Sequence, residues 1–213
     1  MRRQKTGWIE IESIGYQKAR FSVFNNTGHQ SGAWESCMKI FRICGYGGGR
    51  GELVARLAEE FSFRQVGIAA VKYAHKPFDM DKPGSETSNL RQGGCRQTLI
   101  ANRDRWGLLC ETPDQTDPDP VLLAGHLAEC DLVLAIGFDN APLPGLEVMR
   151  ADNPGEPLCR RDPHIQAVVI DGVPPPGVPY SFAHTDIENI ATHILERAVL
   201  LPPRTDDRRT AAH

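Results

Sequence analysis

The glycine run Gly45-Tyr46-Gly47-Gly48-Gly49-Arg50-Gly51-Glu52-Leu53 is the stretch of this sequence best suited to chemistry. It follows a compact apolar segment, Met38 to Cys44, and precedes one with helical periodicity. A loop between a buried strand and a helix aims backbone N–H groups and the helix N-terminus at one point, which makes an anion site. Glycine lets the chain curl tightly there. The complete phosphate-binding pattern reads G-x-x-x-x-G-K-[ST], with Lys on the β/γ-phosphates and the hydroxyl on Mg²⁺. In ungapped register Arg50, Gly51 and Glu52 replace its last three residues. With one residue fewer in the loop, Gly49-Arg50-Gly51 takes their place. Arg50 then supplies a forked cation suited to phosphate oxygens, but no hydroxyl remains for the metal, and Glu52 adds a negative charge nearby. The candidate nucleotide-binding residues are therefore Gly45, Gly47, Gly48, Gly49, Arg50, Gly51 and Glu52. The same residues also describe a tight glycine turn that binds nothing.

A second constellation follows the next apolar stretch. Residues 72–87 bring Lys72, His75, Asp79, Asp81, Lys82, Gly84 and Glu86 into one loop. In an open α/β sheet the carboxyl ends of the strands are where ligands bind, so this loop is expected to face the same cleft as the glycine run. Asp79 and Asp81, two apart, point the same way in an extended chain. One of them can hold Mg²⁺ through water, or both can cap the turn before Pro83-Gly84. Taken alone, the loop also reads as a solvated charged turn.

The elements that position these residues alternate. Strands are expected at 39–44, 66–73, 132–136, 146–149 and 167–170, and helices at 51–62, 85–93 (with Ser85 as its cap), 121–130 and from Asp186 to about Val199. Gln97–Ala101 and Trp106–Cys110, around the turn Asn102-Arg103-Asp104-Arg105, read as a hairpin whose Trp106 anchors a sheet face. Strands alternating with helices imply an α/β fold with a mostly parallel sheet covered on both faces. Residues 1–37 lack sustained periodicity and read as an N-terminal extension, either a poorly ordered arm or a start misplaced upstream of Met38. Residues 38–200 form the domain, and 201–213 a disordered polar tail.

Composition narrows the class. The chain has 213 residues, 40% of them apolar and 24% charged, enough for one good core. A formal net charge of -3 does not point to nucleic acid. No apolar run approaches a membrane span, and no apolar segment follows the basic N-terminus as in a secretory signal. The six cysteines form no C-x-x-C pair. They read as reduced thiols of a cytoplasmic protein, with Cys44 and Cys110 as small apolar residues.

On these residues the chain resembles the MobB family, the molybdopterin-guanine dinucleotide biosynthesis B proteins. That family carries K-H-x-H-H…F-D-x-D-x-P-G-x-D-S after its second strand. Lys72, His75, Phe78, Asp79, Asp81, Pro83 and Gly84 match it, with Glu86-Thr87 for Asp-Ser. Arg91-Gln92-Gly93-Gly94, the segment 97–101, Arg105-Trp106, Glu111-Thr112 and the strand Asp131–Phe138 follow in the family's order, so the likeness spans roughly 38–197. It implies a P-loop NTPase-like fold with an added β-hairpin. It also implies a homodimeric accessory protein that binds GTP with Mg²⁺ and is at most a weak GTPase. Such a protein assists a MobA-like molybdopterin guanylyltransferase, with molybdopterin itself a further ligand. The departures fall on nucleotide handling: the loop lacks Lys-Thr, Ile136 replaces a glutamate, and Asp139 replaces a lysine. Two rival readings are an interaction module of the same fold that has lost nucleotide, and a divergent P-loop kinase acting on a small molecule.

Overall fold

The computed structural model describes residues 38–45, 49–112, 117–150, 156–178 and 180–202. The N-terminal segment 1–37, Gly47, Gly48 and residues 203–213 lie outside them. The elements run β1 Lys39–Cys44, α1 Arg50–Phe63, β2 Ile68–Lys72, α2 Glu86–Gln92, β3 Gln97–Ala101, β4 Trp106–Cys110, α3 Pro120–Ala124, β5 Leu132–Ile136, β6 Gly145–Val148, β7 Ile165–Val169, β8 Tyr180–Phe182, α4 Ile187–Arg197 and β9 Val199–Leu200.

Seven of the described strands form one sheet in the order β2-β5-β1-β6-β7-β8, with β9 also paired to β1. All pairs are parallel except β1–β9. β6 takes the far half of β1, from Arg42 to Cys44, while β9 takes its start at Lys39 and Ile40. The order reverses around β1: the chain leaves it for β2 and β5 on one side, then crosses to β6 on the other. That reversal opens a crevice at the carboxyl ends of the strands.

Alternation along β1 assigns its two faces. Phe41 and Ile43 join Leu53, Leu57 and Phe61 of α1 and Ile190 and Ile194 of α4 in one core. Ile40 joins Val71, Val133, Ala135 and Ala124 of α3 in the other. The spacing of Leu53, Leu57 and Phe61 is the i, i+4, i+8 stripe that holds α1 to the sheet.

The hairpin has the expected limits and register, Ala101 opposite Trp106. It forms a separate two-stranded sheet, and this corrects the role expected of Trp106. No described second layer covers that face of β4, so Trp106 is 66% exposed, with Leu99, Ile100 and Leu108 exposed around it. Cys110 is exposed as well, whereas Cys44 is buried. The helix expected over 121–130 ends at Ala124, because Gly125 follows and the chain turns. α4 stops at Arg197 because Ala198 turns extended and feeds β9. Leu201, expected in the tail, is instead buried and donates its N–H to the Met38 carbonyl.

β1 also carries a fully buried charge. Arg42 donates from Nη1 to the carbonyls of Asp139 at 2.8 Å and Phe138 at 3.4 Å, and from Nη2 to Asp162 Oδ2 at 2.5 Å. Burial pushes the Asp162 carboxyl up, but hydrogen bonds from Arg42 and the His164 N–H bring it below the ordinary range. A depressed folded pKa stabilises above the unfolded value, near 4, and that stabilisation is lost as pH falls through the folded one. Asp162→Asn should therefore cost about 2–3 kcal/mol at pH 7. That is the low side for stranding a buried charge, because solvent reaches the aspartate. Chemical denaturation at pH 7 and pH 3 checks this: the gap between wild type and variant should shrink at the lower pH.

Candidate functional site

Parallel pairing aligns Ile43, Ile136 and Lys72 at one level of the sheet. The residues just beyond them, Gly45, Gly137 and Tyr73, are thereby gathered at the carboxyl edge. Gly45 has φ +115°, and a Cβ there would lie 2.2 Å from the Val148 carbonyl oxygen. Only glycine lets the chain leave β1 past the end of β6. Gly49, at φ +100°, is the N-cap of α1 and provides no side-chain cap. The first N–H groups of this 14-residue helix therefore have no side-chain cap. Glu52 is exposed in the first turn, a favourable place for a carboxylate against the helix dipole. Gly51, also exposed, has no neighbour that a Cβ would touch within 4 Å.

Arg50 folds back toward the end of β1. Its Nη1 donates to the Gly45 carbonyl at 3.0 Å, and its Nη2 lies 3.4 Å from where a Cβ on Gly137 would stand. The guanidinium therefore sits between the ends of β1 and β5. Asp139, just past β5, accepts a long 3.4 Å hydrogen bond from the Gly45 N–H at Oδ1. Its Oδ2 is buried without a hydrogen-bond partner, with His75 Nε2 at 3.7 Å.

The second loop divides in two. Lys72, exposed at the end of β2, and His75 stay at the edge, His75 edge-on to Tyr73 at 4.8 Å. The remainder turns toward α2. Asp79 and Asp81 do point the same way, and both meet Nη1 of Arg91, at 3.0 and 2.8 Å, while Arg91 Nε reaches Glu111 at 2.5 Å. The Asp81 N–H, and then Arg91, hold the Asp79 carboxyl below its ordinary range. Asp81 also accepts from Thr87 Oγ1 at 2.9 Å, and Ser85 caps α2 through the Ser88 N–H. Lys82, Gly84 and Glu86 are exposed around this turn. Among the described residues, no group of three or more His, Cys, Asp or Glu is placed to hold a metal ion.

Sequence reasoning missed His184. It follows β8, and its Nε2 lies 3.3 Å from where a Cβ on Gly49 would stand. Asp171 holds it, accepting the His184 N–H at 2.9 Å and lying 3.1 Å from Nδ1, while Arg56 donates to its carbonyl at 2.8 Å. A second side chain, besides Arg50, thus flanks the start of α1. With 134 residues between Gly49 and His184, no local pattern reveals it.

A reversing parallel sheet with helices on both faces, its first strand followed by a glycine-rich sequence and a helix, is a P-loop NTPase-like fold. The family model described as "Molybdopterin guanine dinucleotide synthesis protein B" matches residues 40–171. The "Molybdopterin-guanine dinucleotide biosynthesis adapter protein" of Escherichia coli (strain K12) is 32% identical over 130 residues, 59% of this chain and 73% of the relative. The adapter protein of the same name from Haemophilus influenzae is 30% identical over 130 residues, 61% of this chain and 72% of that one. Among solved structures, a crystal structure of molybdopterin-guanine biosynthesis protein B aligns with TM-score 0.57 at 21% identity, covering 74% of this chain and 98% of that one. Bacillus subtilis MobB aligns at 0.56 and 15%, covering 76% and 98%. The chain belongs to the MobB family.

The geometry around Asp81 predicts a turn-holding carboxylate. Asp81→Asn should lower the melting temperature by about 2–4 °C and leave the shift produced by added GTP unchanged. Differential scanning fluorimetry with and without nucleotide measures both.

Proposed function

We propose that this chain is an accessory protein in molybdenum cofactor biosynthesis. It assists formation of molybdopterin guanine dinucleotide beside a MobA-like guanylyltransferase and holds GTP at the glycine loop. The names of its relatives in Escherichia coli and Haemophilus influenzae support the pathway. The observation that carries the nucleotide is the uncapped start of α1, closed over by Gly45 and Arg50. It offers backbone N–H groups and one guanidinium, a donor set that fits phosphate oxygens.

Mg²⁺ fits this chain less well. Gly51 and Glu52 occupy the place of the metal-binding hydroxyl, and Asp79 and Asp81 are committed to Arg91. Mg²⁺ is therefore proposed only as a counter-ion brought by the nucleotide, and the role as that of a scaffold, at most a weak GTPase. Phosphoryl transfer rests on positioning and charge neutralisation, and Arg50 alone supplies little of either.

Isothermal titration of GTP against the full chain tests this reading. Wild type should bind, and Arg50→Ala should weaken binding at least tenfold, about 1.4 kcal/mol, without lowering the melting temperature. Absence of binding at millimolar GTP would favour an interaction module that keeps the fold without the nucleotide.

A homodimer is part of the same proposal. The hairpin carries Leu99, Trp106 and Leu108 exposed on one face of a two-stranded sheet, an apolar patch of the kind that marks an association surface. Trp106→Ala should leave the monomer's fold intact and weaken self-association. Sedimentation velocity across a concentration series measures this, and a monomeric wild type would remove the dimer from the proposal.

A further inference from the structure

Beside the glycine loop, between the ends of β2 and β5 and the start of α3, lies a pocket of about 500 Å³. Tyr73 and Phe138 form its apolar corner, with ring centroids 5.7 Å apart and planes tilted by 44°. Asp117, Asp119 and Asp139 bring three carboxylates to it. Each is partly occupied: Asp117 Oδ1 accepts the Tyr73 hydroxyl at 2.6 Å, Asp119 Oδ1 accepts the Val121 N–H at 2.8 Å, and Asp139 Oδ1 accepts the Gly45 N–H at 3.4 Å. The third is unusual. The Asp139 side chain is only 5% exposed, yet its Oδ2 has no hydrogen-bond partner. His75 Nε2 approaches to 3.7 Å, beyond hydrogen-bonding range, and half of that side chain is exposed. A buried carboxylate oxygen left unpaired is costly, and buried polar groups normally find partners.

An occupant that satisfies this pocket has a flat ring for the aromatic corner and N–H donors for the carboxylates. The edge that best matches a carboxylate places a ring N–H and an exocyclic amino group side by side, giving two parallel hydrogen bonds as a guanidinium does. That is the 2-aminopyrimidin-4-one edge, which guanine and pterins share. Adenine fails the match because its ring nitrogen beside the amino group is an acceptor and would face the carboxylate oxygen. Hypoxanthine lacks the amino group. We infer that the pocket bounded by Tyr73, Phe138 and Asp139 binds the 2-aminopyrimidin-4-one edge of a guanine or pterin ring, with Asp139 as the residue that reads it. The inference deepens the accessory role proposed above by assigning a ring subsite next to the phosphate loop.

The test separates this subsite from the loop. Full-length wild type, Asp139→Asn and Tyr73→Leu are titrated with GTP, ITP, guanosine and neopterin, the last followed by quenching of its own fluorescence. Thermal melts report folding of each variant. Wild type should bind GTP at least tenfold more tightly than ITP, and at least one of the two phosphate-free rings. Asp139→Asn should weaken GTP at least tenfold and ITP less, narrowing the gap between the two. Tyr73→Leu should weaken the phosphate-free ring at least tenfold, so the subsite stays testable if Asp139→Asn does not fold. Guanosine binding alone assigns the pocket to the nucleotide base, and neopterin binding alone to the pterin. Equal binding of GTP and ITP, with neither guanosine nor neopterin bound, would overturn the subsite and leave the phosphate loop standing. Neopterin binding in the absence of any nucleotide binding would do the reverse.

Discussion

A buried arginine in the middle of the central strand is the constraint around which the carboxyl edge is organised. Burying an uncompensated guanidinium costs several kcal/mol, so the chain must bring it acceptors. They come from two distant segments, the Phe138–Asp139 turn after β5 and Asp162 before β7. Crowding restricts the neighbour of Arg42 across the strand pair: a Cβ on Gly145 would lie 2.8 Å from the Arg42 carbonyl oxygen and 3.1 Å from its Nε, so β6 approaches β1 there only with glycine. The charge itself ties the turn after β5 and the segment before β7 to β1.

That turn is where structure becomes function. Asp139, with its backbone carbonyl held by Arg42, directs its carboxylate at the Gly45 N–H, and Gly45 in turn receives Arg50 on its carbonyl. The edge then has two characters. Around the start of α1 stand the N-terminal N–H groups of the helix and the Arg50 guanidinium. Around Asp139 stand carboxylates and aromatic rings. The proposed ligand, with phosphate at one end and a donor-edged heterocycle at the other, would use both.

How much of this was legible in the sequence depended on how local each signal was. Strand β1, helix α1, the Ser85 cap and the limits of the hairpin strands rest on residues close in the chain, and all appeared where their patterns placed them. The exposure of Trp106 was not legible, because aromatic content says that a strand can be covered but not whether a layer exists to cover it. The short strands β8 and β9 have too few residues for alternation to show. Arg42 was visible as a charge between the apolar Phe41 and Ile43, but its partner Asp162 is 120 residues away. Asp79 and Asp81 illustrate a related ambiguity. Their spacing correctly predicted a shared direction, and it could not say that the direction led to Arg91.

The most direct measurement of the central claim, that this edge is one ligand site, is amide chemical-shift mapping of the ¹⁵N-labelled full chain during a GTP titration. The account predicts that Gly45, Gly49, Gly51 and Glu52 shift together with Gly137, Phe138 and Asp139, at one common dissociation constant. Shifts confined to the hairpin or to the Asp79–Arg91 turn, with the glycine-loop amides unmoved at saturating GTP, would contradict it.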